Sequence, residues 1–166
     1  MGPEDEYPRY EDVIRHFENH LETFKAFVKE IGLGPLKPYQ YEISYFNQIT
    51  QNEGWSSFKD LGSVFPDFGW RADKDRFLPE PENINWRTGF LLPNKAGRLH
   101  MALRNATRKT DGRQILFLEL TARGFLHDSA TDSMRTWFDL GREWIVRGFT
   151  DLTGEQIQNV VWGRKR

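Results

Sequence analysis

Apolar residues recur at helical spacing between Glu11 and Ile31. Ile14, Phe17, Leu21, Phe24, Val28 and Ile31 step by three and four and make one stripe. The pattern predicts a long helix, stopped by Gly32, Gly34 and Pro35. Pro38 then forces an extended entry into a strand. That strand, YQYEISYFNQI from Tyr39 to Ile49, alternates with period two and then departs from it. Tyr39, Tyr41, Ile43, Tyr45 and Ile49 share one face, and Gln40, Glu42, Ser44 and Gln48 the other. Phe46 stands among the polar residues and Asn47 among the apolar ones. Two explanations fit. A β-bulge near Tyr45 and Phe46 swaps the faces, or the strand is covered on both sides and Asn47 bonds buried backbone.

Residues 52–81 lose all periodicity but carry Trp55, Phe58, Phe65, Phe68, Trp70 and Phe77 among Gly, Pro and charge. They read as a long aromatic loop over the body, with a short helical turn at Ser56 to Leu61. Three strands follow: Ile84 to Leu92, Arg98 to Thr107, and Gln114 to Phe125. Asp111-Gly112 between the last two predicts a hairpin. The strand from Gln114 is apolar on both sides, with Leu116, Leu118 and Leu120 against Ile115 and Phe117, so it belongs at the centre, covered on both faces. A second long helix runs from Ser133 to Phe149, capped by Asp132 or Thr131. Its inner face holds Met134, Trp137, Phe138, Gly141, Trp144, Ile145, Gly148 and Phe149, and the glycines permit close approach to the sheet. Thr153 to Gln156 resembles a capping box for a last short helix to Trp162. The order predicts an α+β fold: an antiparallel sheet of about four strands, packed by a long N-terminal and a long C-terminal helix, in one domain over residues 1–166.

Composition narrows the function classes. The chain has 166 residues, enough for a sizeable core, and 38% are hydrophobic, which excludes a disordered chain. A formal net charge of −1 gives no global field toward nucleic acid or membrane. Cysteine is absent, so disulfides and thiolate chemistry are excluded. The acidic N-terminus is no signal peptide, and Tyr7 breaks a myristoylation pattern. A cytoplasmic protein is the expectation. No Gly-x-Ser-x-Gly element or phosphate loop is present, because Gly32 and Gly34 lead into Pro35 rather than into a helix.

Four constellations remain. His16 and His20, at i and i+4, have metal-ligand spacing but lack a third ligand in sequence; His100, His127 or Asp12 would have to come round in space. The plainer reading places them as polar borders of the helix stripe, and no metal or cofactor is expected. Arg104, Arg108, Lys109 and Arg113 at the hairpin, with Arg164, Lys165 and Arg166 at the end, offer phosphate contacts or simply a solvated turn and tail. Glu42 and Glu119 lie within strands and pair structurally with Arg87, Arg104 or Arg123, or hold an acid–base role. Glu42, Tyr45, Asn47, Glu119 and Arg123 are the candidate polar binding cluster.

Several segments carry a resemblance: YPRYE (Tyr7 to Glu11), EISYFN (Glu42 to Asn47), LTARG (Leu120 to Gly124), EWIV (Glu143 to Val146), FTDLT (Phe149 to Thr153) and WGR (Trp162 to Arg164). In these the chain resembles a sporadically distributed bacterial family of uncharacterised proteins, and it is similar to that family's C-terminal half. Family members tend to have a His before the Glu-Trp pair, where this chain has Arg142. The resemblance implies accessory, mobile-element or defence-associated roles and no particular reaction. The combined expectation is a non-enzymatic binding or regulatory domain acting on a protein partner or a second copy. A small-molecule or hydrolytic domain, and a nucleic-acid accessory protein using the hairpin and tail, are the alternatives.

Overall fold

The structure, a computed structural model, describes residues 8–69, 75–124 and 133–163. The cap residues Thr131 and Asp132, together with Trp70, His127 and the basic residues Arg164 to Arg166, lie outside the described residues. The chain is described as two compact units, residues 1–39 and 40–166.

In the first unit, α1 spans Tyr10–Glu30. Gly32, at φ +74°, lets its own N–H reach the Lys29 carbonyl and the Leu33 N–H reach the Val28 carbonyl. This pair of hydrogen bonds satisfies carbonyls the last turn leaves open. The apolar stripe has two borders. Along one, Ile14 and Val28 are buried and Leu21 is half-buried; along the other, Val13, Phe17, Phe24, Phe27 and Ile31 are exposed.

The second unit is α+β, one antiparallel sheet of four strands with helices. The strands are β1 (Tyr41–Thr50), β2 (Asn85–Leu91), β3 (Arg98–Thr107) and β4 (Gln114–Gly124). Their spatial order is β1-β4-β3-β2, so β4 is central as its double apolar pattern requires. The β3–β4 hairpin closes over Asp111-Gly112, where Gly112 takes φ +72° and the Arg108 N–H bonds the Arg113 carbonyl. The β1–β4 register runs without interruption from Tyr41 opposite Gly124 to Thr50 opposite Ile115. There is therefore no bulge in β1, and Phe46 and Asn47 keep the faces that strict alternation assigns.

Most of the sheet's core residues lie on one side. Leu99, Met101, Leu103, Leu116, Leu118, Leu120 and Ala122 are buried there, and α3 (Ser133–Leu152) crosses that side against Ile43, Ala122 and Leu99. The helix seats closely because Gly141 has no side chain. A Cβ at Gly141 would stand 2.9 Å from the Ile43 Cγ2 and 3.2 Å from the Ala122 Cβ, and one at Gly148 would stand 3.1 Å from the Leu99 Cδ2. Close approach outweighs the poor helix propensity of glycine. Trp137 is fully buried and donates its indole N–H to the Ala96 carbonyl at 2.8 Å.

Within the aromatic segment a helical turn forms where the sequence pattern places one. A 3-10 turn, Phe58–Asp60, leads into the short α2, Leu61–Val64. A capping box between Ser57 and Asp60 starts it, and hydrogen bonds from the Ser56 and Ser57 amides lower the Asp60 pKa. Leu61, Val64 and Phe65 are buried, and Trp55 donates to the Ile49 carbonyl and stacks on Phe58. Phe77, by contrast, is exposed. The expected capping box at Thr153 does not form. The Thr153 hydroxyl donates to the Phe149 carbonyl and accepts from the buried Gln158 amide. The last element is a π-helical turn, Ile157–Val161.

Candidate functional site

Strand parity divides the sheet into two chemically different surfaces. Tyr41, Ile43, Tyr45, Asn47 and Ile49 of β1 lie on the α3 side, in register with Gly124, Ala122, Leu120, Leu118 and Leu116. The opposite side carries Glu42, Ser44, Phe46 and Gln48 from β1 and Phe117, Glu119, Thr121 and Arg123 from β4. From β3 it takes Arg98, His100 and Arg104, and from β2 Arg87 and Leu91. Glu42, Phe46, Gln48, Arg87, Arg98, His100, Arg104 and Arg123 are all exposed, so this is the open face of the sheet.

The centre of the open face is aromatic. Phe46 stacks on Phe117 with ring centroids 5.8 Å apart and planes 27° from parallel. On the other flank the Arg104 guanidinium sits 4.6 Å from the Phe117 centroid. The three side chains form a diagonal row over β1, β4 and β3. Phe117 is half-buried because its neighbours cover it, whereas Phe46 remains 59% exposed. An exposed ring of that size in mid-strand gains little from its own fold. On this side of β4, Ile115 and Thr121 are buried and Phe117 and Glu119 are half-buried.

Around the aromatic row the charges are unequal. Arg87, Arg98, Arg104 and Arg123 face Glu42 and Glu119. Arg123 spends its charge on Glu42 at 2.5 Å. Glu119 accepts from the Thr121 hydroxyl at 3.3 Å, and Thr121 in turn shares a hydrogen bond with Ser44 at 2.7 Å. Arg87, Arg98 and Arg104 have no carboxylate partner among the described residues. A chain of near-zero net charge therefore carries a local cationic surface.

The five-residue polar cluster proposed from sequence does not converge. Glu42, Glu119 and Arg123 lie on the open face, while Tyr45 and Asn47 lie on the α3 side. Asn47 is half-buried, and its side chain has no hydrogen-bond partner among the described residues. The hairpin cations also separate. Arg104 belongs to the open face, and Lys109 is exposed in the turn. Arg108 is fastened to Asp111 by two hydrogen bonds, at 2.9 and 2.5 Å, and Arg113 lies 3.5 Å from the same carboxylate. His16 and His20 are both exposed on α1, and no group of three metal-ligating side chains occurs among the described residues.

The Arg108 guanidinium hydrogen-bonds to Asp111 and holds the carboxyl pKa down at about 2. A depressed folded-state pKa means the stabilisation is present above the ordinary value of 3.8 and is lost as pH falls through about 2. NMR titration of the Asp111 carboxyl carbon should show a midpoint near 2, and Arg108→Gln should return it toward 3.8. A midpoint unchanged by that substitution would refute the assignment.

Two concavities lie elsewhere in the second unit. One, of about 580 Å³, is bordered by Gln51 to Glu53 and Gly112 to Gln114. The other, of about 360 Å³, lies on the helix side among Phe90, Leu99, Trp144, Gly148 and the Arg147–Glu143 ion pair. Neither is lined by the five-residue cluster. Among the described residues no helix is long and apolar enough to cross a membrane. Comparison with protein-family models, with curated proteins and with solved structures finds no match.

Proposed function

We propose that the chain is a non-enzymatic binding domain and that the open face of its sheet is the binding surface. One observation carries this reading: Phe46, 59% exposed in mid-strand, is stacked and aligned with Phe117 and Arg104. Aromatic and arginine side chains held in a fixed arrangement on a rigid sheet lose little freedom when a partner arrives. The separation of Tyr45 and Asn47 from Glu42, Glu119 and Arg123 argues against a convergent catalytic set. A second reading rests on the first unit. Val13, Phe17, Phe24 and Phe27 expose one border of α1, a pattern suited to an apolar groove on a protein partner.

One experiment addresses both readings. A photo-crosslinking phenylalanine analogue is placed at Phe46, at Phe24, and at exposed Lys59 as the control. Irradiation in the source cell should give a discrete adduct from position 46 and none from position 59. A blank lane at 46 with an adduct at 24 moves the function to α1. Blank lanes at both positions reject the binding-domain reading.

A further inference from the structure

We infer that the open sheet face binds single-stranded nucleic acid, a step that rests on the binding-face reading and names its occupant. The argument starts from what the surface offers. Phe46 presents one free ring face, with its other side occupied by Phe117. A base has two flat faces and stacks on such a ring whatever its sequence. The phosphates joining successive bases need cations at short intervals. Arg104 stands at one end of the aromatic row, Arg87 lies one strand further on, and Arg98 lies further along β3. These three are exposed and have no carboxylate partner among the described residues. His100 and Gln48 add hydrogen-bonding groups on the same face.

A duplex does not fit this chemistry. Its bases are stacked on each other and present no free plane to Phe46, whereas unpaired bases can splay onto a flat sheet. An acidic protein surface would meet the arginines but would leave the stacked Phe46–Phe117 pair without a matching group. An apolar protein surface would cover the rings but strand Arg87, Arg98 and Arg104 without counter-charge. Alternating rings and phosphates satisfy both. Four strands spaced about 4.8 Å apart give room for about two or three nucleotides across the face.

Anisotropy of fluorescein-labelled dT15 and rU15, titrated with the full chain at 50 mM NaCl, tests the inference. Both arms carry the same phosphate spacing, and the tighter one identifies DNA or RNA as the source. Contacts from three arginines predict a log–log salt slope of about −2, or about fifteenfold weaker binding at 200 mM NaCl. Phe46→Ala should weaken binding by about tenfold or more through the lost stack. Arg104→Gln should make the slope shallower by about 0.7. Arg147→Gln, on α3, should change neither. Because Phe46 and Arg104 are exposed, circular dichroism melts of these variants should match the parent chain.

Absence of binding by either oligonucleotide at 50 mM NaCl overturns the inference. So does binding that Phe46→Ala leaves unchanged, since charge alone would then account for it. A position-46 adduct that resists nuclease and yields to protease also overturns it. In that outcome the binding face itself stands and only its occupant changes.

Discussion

Trp137→Ala should cost about 4 kcal/mol of unfolding free energy, read by urea denaturation followed at 222 nm. Two losses combine at this position. The side chain is fully buried and touches Tyr41 at 5.6 Å and Phe138 at 5.4 Å between centroids. Truncating a buried Trp removes its transfer energy and leaves a cavity, at about 3–5 kcal/mol. The substitution also removes the donor that satisfies the Ala96 carbonyl at 2.8 Å, and an orphaned buried acceptor costs about 1–3 kcal/mol. The figure of 4 allows for partial collapse of the cavity. Trp137→Phe separates the two effects, because it keeps an aromatic ring and forfeits the indole N–H. It should lose about 1–3 kcal/mol. A Trp137→Ala loss below about 1.5 kcal/mol would mean that α3 is not anchored through this residue.

Gly124→Ala should be nearly as damaging for a single methyl group, with a loss of about 3 kcal/mol in the same measurement. A Cβ at Gly124 would come within 1.9 Å of the Ala96 carbonyl oxygen and 2.7 Å of the Gly97 Cα. Both are backbone atoms, so no rotamer change relieves the contact. Gly97 answers from the other side. It sits at φ +137°, and its own added Cβ would stand 2.2 Å from the Arg123 carbonyl oxygen. The two glycines thus let the end of β4 and the entry to β3 touch backbone to backbone, beside the carbonyl that Trp137 caps. Gly112→Ala is the contrast. Its added Cβ meets nothing within 4 Å, so only the strain of φ +72° applies, at about 1 kcal/mol. Equal losses at positions 112 and 124 would show that backbone crowding is not the cause.

Much of the fold was legible because it rests on local signals. The three- and four-residue spacing of α1 and α3, the Asp111-Gly112 turn and the apolar doubling of β4 each follow from short-range chemistry. Gly141 and Gly148 could be read as contact points because they fall on the apolar side of a helix. The candidate site was read less well, for two different reasons. The split of the polar cluster was available in principle: Glu42 is an even position and Tyr45 and Asn47 are odd, so an unbroken strand must separate them. The idea of a bulge obscured that parity. The aromatic row was not available, since it needs the register that sets Phe46 diagonally from Phe117 and Phe117 opposite Arg104. Strand register over such distances is a tertiary fact. The contribution of Arg98 and His100 to the open face follows from the same pairing and from no motif.

The strand order also has a consequence for synthesis. β1 is made first among the strands, yet its only neighbour in the sheet is β4, the last. Ser44 bonds Thr121, 77 residues later. At translation rates of about 5–20 residues per second, β1 waits roughly 4–15 s for its partner to be made. During that interval it is an unpaired segment rich in Tyr, Phe and Ile. Its alternate residues Glu42, Ser44 and Gln48 then act as gatekeepers against pairing with neighbouring nascent chains. The hairpins β2–β3 and β3–β4 face no such delay, because each pairs with the strand made just before it. Synthesis of the sheet therefore begins at β1, and its assembly ends there.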